Sequence, residues 1–174
     1  MTKQRLENIA KFHVERFATT ATHLKRVLLR RVERAVRSHG GETGEFVASI
    51  DEIVARFERS GVVDDARYAA GRAAALRRLG KSPGKIRALL VAKGVARALI
   101  DAALNATAIT ETGTDAAWEA AIAYAQRRRL GPFGDRQGDA EARRKKAAKD
   151  LGALARAGFS YEIAKRVLSG GSKD

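Results

Sequence analysis

Cysteine is absent from this chain, and aromatic residues make up only 6% of it. Without cysteine the chain can form neither a disulfide framework nor a zinc site with thiolate ligands, so we expect a reducing, cytoplasmic environment. β-Branched residues are also sparse, whereas alanine, which loses no side-chain entropy in a helix, is abundant. The composition therefore favours an all-α fold.

Long apolar runs are lacking as well. No stretch approaches the roughly 18 consecutive apolar residues that a membrane span needs. The first 17 residues contain no uncharged apolar region of signal-peptide length. We therefore expect a soluble protein that is neither exported nor associated with a membrane.

Residues suited to catalysis or metal binding are few and scattered. The three histidines, His13, His23 and His39, lack the spacing of a metal-binding motif and have no third ligand nearby. Carboxylate pairs such as Asp64 with Asp65 stand at predicted helix starts, where the helix dipole accounts for them. We therefore predict no catalytic residue, no metal site, no cofactor and no enzymatic activity.

Positive charge is in large excess, with a net charge of +14 and an isoelectric point near 10.7. No carboxylate occurs between Asp65 and Asp101, so all the charged side chains of this stretch are positive and repel one another. Solubility alone does not require such an arrangement. It therefore predicts a surface for an anionic partner, whether nucleic acid, acidic lipid or acidic protein. The residues expected to contact the partner there are Arg67, Arg72, Arg77, Arg78, Lys81, Lys85, Arg87 and Lys93. A second, separate basic surface is expected from Arg127, Arg128, Lys145 and Lys146, accompanied by Arg129, Arg143, Arg144 and Lys149.

Apolar residues recur at three- and four-residue spacing in nine segments, which predicts nine helices. Their limits are about 5–17, 20–38, 49–60, 64–79, 82–93, 99–105, 115–129, 140–157 and 160–168. Three starts carry recognisable caps, namely a Ser49-to-Glu52 capping box, the pair Asp64 and Asp65, and Ser82 followed by Pro83.

Several features recur along the chain and indicate internal repetition. They are Arg78-Leu79-Gly80 with Arg129-Leu130-Gly131, Gly94 to Leu104 with Gly158 to Leu168, and Thr20, Leu24 and Leu28 with Ser82, Ile86 and Leu90. We predict three tandem, degenerate three-helix repeats at 1–61, 62–106 and 114–169, with a threonine-rich linker at 106–114 and a flexible tail at 170–174. Each repeat is too small to bury its own faces, so we expect them to stack in an elongated, curved arrangement.

Residues 75–82 formally satisfy a relaxed phosphate-loop pattern, which would indicate nucleotide binding. A phosphate loop follows a buried strand and presents several backbone amides to the phosphates. Here the preceding residues are predicted to be helical, only Gly80 is a glycine, and Pro83 removes an amide. A helix stop followed by a Ser-Pro helix start explains every residue of the pattern better.

One group of motifs resembles the core signature of the RecX family of regulatory proteins. It consists of Asp-Asp-Ala-Arg-Tyr-Ala at 64–69, Gly80-Lys81-Ser82, Ile86, Leu90 and Lys93-Gly94-Val95. Segments at 28–32, 130–133 and 158–168 are also similar to this family, particularly to its alphaproteobacterial forms. The signature residues Asp64, Asp65, Tyr68, Gly80, Ser82, Leu90 and Gly94 have the chemistry of capping, turning and packing, so we assign most of them to the fold.

The resemblance implies a modulator that docks in the helical groove of the RecA filament on DNA, bridges RecA subunits and inhibits recombinase and coprotease activity. We expect a monomer that binds this protein partner, and whether DNA is contacted within the complex stays open. A second reading is direct DNA binding, with residues 82–104 as a helix-turn-helix. The outer face of its second helix offers mainly alanine and Asp101 beyond Arg97, which suits base reading poorly. A third reading is a helical adaptor for another acidic partner.

Overall fold

The computed structural model describes residues 2–108, 115–134 and 139–170. Within these ranges the regular structure consists of nine α-helices and two 3-10 turns, Thr43–Phe46 and Gly131–Phe133. The α-helices are α1 (Lys3–Arg16), α2 (Ala21–His39), α3 (Val47–Arg59), α4 (Asp65–Arg78), α5 (Pro83–Ala92), α6 (Arg97–Ala106), α7 (Ala116–Arg128), α8 (Ala140–Arg156) and α9 (Tyr161–Leu168). None of these helices is both long and apolar enough to cross a membrane. The predicted all-α fold is confirmed.

The chain forms two compact units, Met1–Ala69 with Leu90–Ile100 and Ala70–Leu89 with Asp101–Asp174. In the first unit, α1, α2 and α3 pack together around Leu6, Ala10, Leu24, Leu28, Val32, Ile50, Ile53, Val54, Phe57 and Val63. In the second unit, α7, α8 and α9 pack around Ala120, Ala121, Ala125, Leu130, Leu154, Phe159, Ala164 and Val167. Three consecutive helices with a shared core are therefore the building block, as predicted. The limits of the three repeats stay a prediction, and linker residues 109–114 and tail residues 171–174 lie outside the described ranges.

The two acidic residues at the start of α4 have different roles, one in helix capping and the other in a tertiary contact. Asp64 caps the helix as predicted, because its Oδ1 accepts a hydrogen bond from the backbone N–H of Arg67 at 2.8 Å. The Oδ1 of Asp65 instead accepts from the backbone N–H of Ala21 at 2.9 Å, at the start of α2. Asp65 therefore ties two helices together, which its position in the sequence did not indicate.

The predicted capping box at the start of α3 is wrong. The 3-10 turn Thr43–Phe46 runs directly into α3, which begins at Val47, so Ser49 lies inside the helix. Glu52 forms an ion pair with Lys3 of α1 at 2.5 Å instead of reaching back to the helix start. Because the preceding turn already has helical backbone, Ser49 cannot take the extended conformation that an N-cap requires.

The repeated Arg-Leu-Gly segments end their helices differently. Gly80 has a φ of +67° after α4, a left-handed conformation that favours glycine. After α7 the residue that caps the helix is Arg129, with a φ of +53°, and the backbone N–H of Leu130 donates to the carbonyl of Ala125 at 2.9 Å. Gly131 is left-handed as well, with a φ of +52°, but it lies two residues beyond the cap. The sequence repeat at 129–131 therefore does not mark a glycine stop equivalent to Gly80.

A hydroxyl cap joins the start of α2 to the turn after α5 within the first unit. The Oγ1 of Thr20 accepts from the backbone N–H of His23 at 3.1 Å and donates to the carbonyl of Lys93 at 2.5 Å. The next residue, Gly94, has a φ of +81°, and a side chain there would collide with Thr22. One hydroxyl thus caps a helix and holds a second segment against it.

Ser82 makes the same arrangement within the second unit, between the start of α5 and the turn after α8. Its Oγ accepts from the backbone N–H of Lys85 at 3.2 Å and donates to the carbonyl of Ala157. Gly158 follows with a φ of +88°, and a Cβ on Gly84 would lie 2.7 Å from the Gly158 carbonyl oxygen. The predicted recurrence of hydroxyl and glycine spacing therefore corresponds to one joint that is built twice.

The two joints differ in one hydrogen bond, and the sequence differs to match. Ala21 follows Thr20 and donates its amide to Asp65. Pro83 follows Ser82 and has no amide to donate. By the 51-residue offset between the two Arg-Leu-Gly segments, the position that corresponds to Asp65 is Ala116, which offers no side-chain acceptor. The second joint therefore lacks both the amide that Ala21 supplies and the carboxylate that Asp65 supplies in the first joint.

Candidate partner-binding site

A cleft of about 920 Å³ lies in the second unit. The loop before α5, the start of α5, the end of α7 and the second half of α8 form its walls. The lining residues are Gly80, Lys81, Ser82, Lys85, Tyr124, Arg127, Arg128, Leu130, Lys149, Asp150, Ala153, Arg156, Ala157 and Phe159. Its volume lies within the range that ligand-binding clefts usually have.

The cleft is strongly cationic. Six of its lining side chains are basic and exposed, namely Lys81, Lys85, Arg127, Arg128, Lys149 and Arg156. None of the six forms an ion pair with a carboxylate of residues 2–108, 115–134 or 139–170. Their charges therefore add to a positive field that is free to attract an anion.

Among the described residues that line the cleft, Asp150 is the one carboxylate, and its charge is already matched. The residue is 6% exposed, and its Oδ2 accepts from the backbone N–H of Gly131 and from the Nζ of Lys146, each at 2.9 Å. These bonds hold the turn after α7 against α8. Sequence reasoning missed Asp150, although its position four residues before the buried Leu154 places it on the inward face of α8.

The aromatic rings of the cleft are engaged within the protein. Tyr124 and Phe159 meet with their ring centroids 5.8 Å apart and their planes tilted by 59°. The guanidinium of Arg128 lies 5.8 Å from the centroid of the Tyr124 ring, and Phe159 is buried. The rings therefore pack against other side chains of the protein.

The structure brings the two predicted basic surfaces together at the cleft. Lys81 and Lys85 come from the middle stretch, and Arg127 and Arg128 come from the later one, yet all four line the same cavity. The prediction that the two surfaces are separate is therefore wrong for these residues, because the end of α7 and α8 fold against the start of α5.

Sequence reasoning missed Arg156 and named Lys149 only as an accompanying residue. The signal was the spacing of Lys149, Ala153 and Arg156, which places all three on one face of α8.

Several other predicted contact residues interact within the protein. Arg87 forms an ion pair with Asp101 at 2.5 Å, and Lys145 forms one with Glu141 at 2.8 Å. Lys146 is the partner of Asp150. Of the predicted residues named outside the cleft, Arg72 and Arg78 are exposed and make no contact of this kind within the described residues.

Three further predicted contact residues lie outside the cleft, and each is held or partly covered by other parts of the protein. The guanidinium of Arg67 donates to the carbonyl of Gly61 at 3.1 Å, and the Nζ of Lys93 lies 3.4 Å from the Nε2 of His23. Arg77 is half-buried, and burial lowers its pKa while the charge of Asp115 opposes the shift. Arg77 therefore differs from the exposed cations of the cleft in its access to a partner.

The signature residues have structural roles, as the sequence indicated. Leu90 is fully buried and Tyr68 is half-buried. Asp64, Asp65, Gly80, Ser82 and Gly94 supply the caps, turns and joints described above. Gly80 and Ser82 also line the cleft, so the signature shapes the candidate site without supplying its charge.

Within the described residues, the histidines and carboxylates do not come together as a set of metal ligands. His13 and His23 face each other with ring centroids 6.0 Å apart and are half-buried, whereas His39 is exposed. No group of three histidine or acidic side chains in the described part of the chain has an arrangement that could hold a metal ion.

The fold and the cleft define a helical protein built from three-helix units that carries a recessed cationic surface. A family model described as RecX, second three-helix domain, matches residues 64–104. The regulatory protein RecX of Myxococcus xanthus is 43% identical over 163 residues, which cover 94% of this chain and 83% of that protein. That of Agrobacterium fabrum is 29% identical over 163 residues, covering 93% and 80%. This chain belongs to the RecX family.

Solved structures of the family share the fold. The crystal structure of RecX from Lactobacillus salivarius aligns with a TM-score of 0.67 at 19% identity, covering 97% of this chain and 95% of that one. A second crystal structure of a regulatory protein RecX also aligns with a TM-score of 0.67, at 20% identity, covering 96% and 73%. These matches agree with the predicted tandem three-helix architecture.

Proposed function

We propose that this protein is a cytoplasmic regulator that binds RecA filaments on DNA and inhibits ATP hydrolysis, strand exchange and coprotease activity during DNA repair. Family membership carries the proposal, since the chain is 43% identical over nearly its whole length to a protein named as a regulator. The protein acts by binding in this proposal, and no step requires a catalytic residue.

The cationic cleft of the second unit is the surface that we assign to the partner. Its six exposed basic side chains have no acidic partner among the described residues. Exposed ion pairs contribute only about 0–1 kcal/mol each. Affinity should therefore come from several contacts together and should fall steeply as ionic strength rises.

The test is ATP hydrolysis by preassembled RecA filaments with increasing amounts of this protein. We expect inhibition that grows with the molar ratio, and no inhibition at any ratio would remove the proposal. Two variants locate the surface. A cleft variant carries Lys85→Gln, Arg127→Gln and Lys149→Gln, one change on each of α5, α7 and α8. A control variant carries Arg31→Gln, Arg34→Gln and Arg37→Gln on the exposed face of α2.

Both variants lose three positive charges, so a general effect of net charge should weaken them equally. If each cleft residue contributes about 0.5 kcal/mol, the cleft variant should need about tenfold more protein for half-inhibition. The control variant should stay close to the wild-type protein. Equal behaviour of the two variants would remove the cleft from the proposal while leaving RecA binding in place.

Direct action on DNA is the second candidate function, and the net charge of +14 favours it. DNA binding without RecA, with a preference for one sequence over another, would support it. Binding that lacks a sequence preference and disappears at moderate salt would reflect charge alone.

A further inference from the structure

The cationic side chains of the cleft are spread along its walls instead of converging on one point. Lys149 and Arg156 are seven residues apart on α8, which places them about 10 Å apart along the helix axis. Lys85 and Arg127 come from two other elements, and all of these side chains are exposed. A compact anion such as a single phosphate would contact only part of this set, whereas an extended polyanion could contact all of it.

The cleft also offers apolar surface between its charges. The half-buried Ala153 and Ala157 of the lining supply this surface beside the basic residues. A peptide with several carboxylates and short apolar groups between them complements both components, since its charges meet the cations and its methylene groups cover the apolar floor.

The cleft lacks the features with which proteins contact nucleic-acid bases. Binders of single strands stack bases on open aromatic faces, but here Phe159 is buried and Arg128 lies over Tyr124. A duplex is read by an element that protrudes into a groove, and a recessed cavity cannot do this. An acidic peptide needs neither feature.

The walls of the cleft are held in place by bonds already described. The hydroxyl of Ser82 joins the start of α5 to the carbonyl of Ala157, and the carboxylate of Asp150 joins α8 to Gly131. A preformed cleft loses little freedom when a ligand enters, which favours binding of a flexible segment.

We propose that this cleft binds an extended acidic segment, rich in Asp and Glu, of the protein partner. The inference rests on the proposed function for the identity of that partner, but the site itself is defined by its chemistry. The carboxylates of the segment would meet Lys85 on α5, Arg127 on α7 and Lys149 on α8.

The experiment measures binding of labelled probes to the full chain by fluorescence anisotropy. The probes are a hexaglutamate peptide, a hexaglutamine peptide of equal length and a single-stranded oligothymidylate of the same formal charge as hexaglutamate. Each probe is titrated with the wild-type protein, the cleft variant and the control variant, after circular dichroism has verified that both variants fold. A further variant, Lys85→Arg with Lys149→Arg, keeps the charge of the cleft.

We expect hexaglutamate to bind the wild-type protein, hexaglutamine to bind at least tenfold more weakly, and oligothymidylate to bind no more tightly than hexaglutamate. The cleft variant should bind hexaglutamate about tenfold more weakly than the wild type, whereas the control and arginine variants should keep their affinity. Equal loss in the cleft and control variants would overturn the proposal, as would tighter binding of oligothymidylate that the cleft variant abolishes.

The ATPase assay separates this inference from the proposed function. Loss of hexaglutamate binding in the cleft variant, with full inhibition of RecA, would keep the acidic-peptide site and remove its role in RecA binding. Inhibition of RecA by a wild-type protein that does not bind hexaglutamate would overturn the inference that the cleft binds an acidic segment, and it would leave the proposed function intact.

Discussion

The joint between Ser82 and Gly158 predicts a specific pattern of stability. Gly158→Ala forces a side chain into a left-handed residue, at a cost of about 1–2 kcal/mol. The new Cβ would also lie 2.8 Å from the Oγ of Ser82 and 3.0 Å from the backbone nitrogen of Lys85. Relieving these contacts disturbs two hydrogen bonds of Ser82, each contributing about 1 kcal/mol. We therefore expect Gly158→Ala to lower the free energy of unfolding by about 3–4 kcal/mol in total.

Gly80→Ala is the matched control. Gly80 belongs to the same unit and has a φ of +67°, but a Cβ there would meet no atom within 4 Å. Only the backbone cost of about 1–2 kcal/mol should remain. Urea denaturation followed by fluorescence of Trp118, the single tryptophan, reports on this unit because Trp118 packs against its core. Equal destabilisation by the two substitutions would refute the reasoning about the joint.

A double-mutant cycle refines this test. Ser82→Ala removes the Oγ that the new Cβ would approach most closely, so Gly158→Ala should cost less in that background than in the wild-type protein. Strict additivity of the two changes would mean that the crowding does not act through Ser82.

Three further predictions concern other parts of the molecule. Asp150→Ala should lower the free energy of unfolding by about 2–4 kcal/mol, since it leaves the amide of Gly131 and the ammonium of Lys146 without their acceptor; a loss below about 0.5 kcal/mol in urea denaturation would contradict the role given to Asp150. Asp64→Ala should cost about 1 kcal/mol and Ser49→Ala less than about 0.5 kcal/mol, because only Asp64 caps a helix; the reverse order in the same measurement would restore the capping box. Burial, followed by the charge of Lys93, lowers the pKa of both His13 and His23 below the usual 6.5, so the unfolded chain binds more protons than the folded chain below that pH. The contribution of the two neutral histidines to the free energy of unfolding should be fully present above pH 6.5 and should be lost as the pH falls below it. Chemical denaturation at several pH values should show this loss in the wild-type protein and not in a His13→Gln, His23→Gln variant.

Local features of the sequence predicted the helices well because the signals act over a few residues. Asp64 caps α4 through an amide three residues away, and Ser82 caps α5 in the same way. The prediction failed at Ser49, because a 3-10 turn ahead of it already supplied the helical backbone.

The candidate site was predicted only in part, for a different physical reason. Charge composition identified Lys81, Lys85, Arg127 and Arg128 individually, since an excess of one sign is visible in any sequence. Their convergence on one cleft, and the addition of Arg156, depend on which helices meet in space.

The sequence by itself determined the helical class, most of the breaks between helices and the separate recurrences of hydroxyl and glycine spacing, since each arises from backbone conformations and short-range hydrogen bonds. Only the tertiary structure decided that the hydroxyl of Ser82 bonds to Ala157, that Asp150 is buried against Gly131, and that two stretches of basic residues share one cavity. These contacts join residues that are far apart along the chain, and the packing of the helices, not their local propensities, selects them.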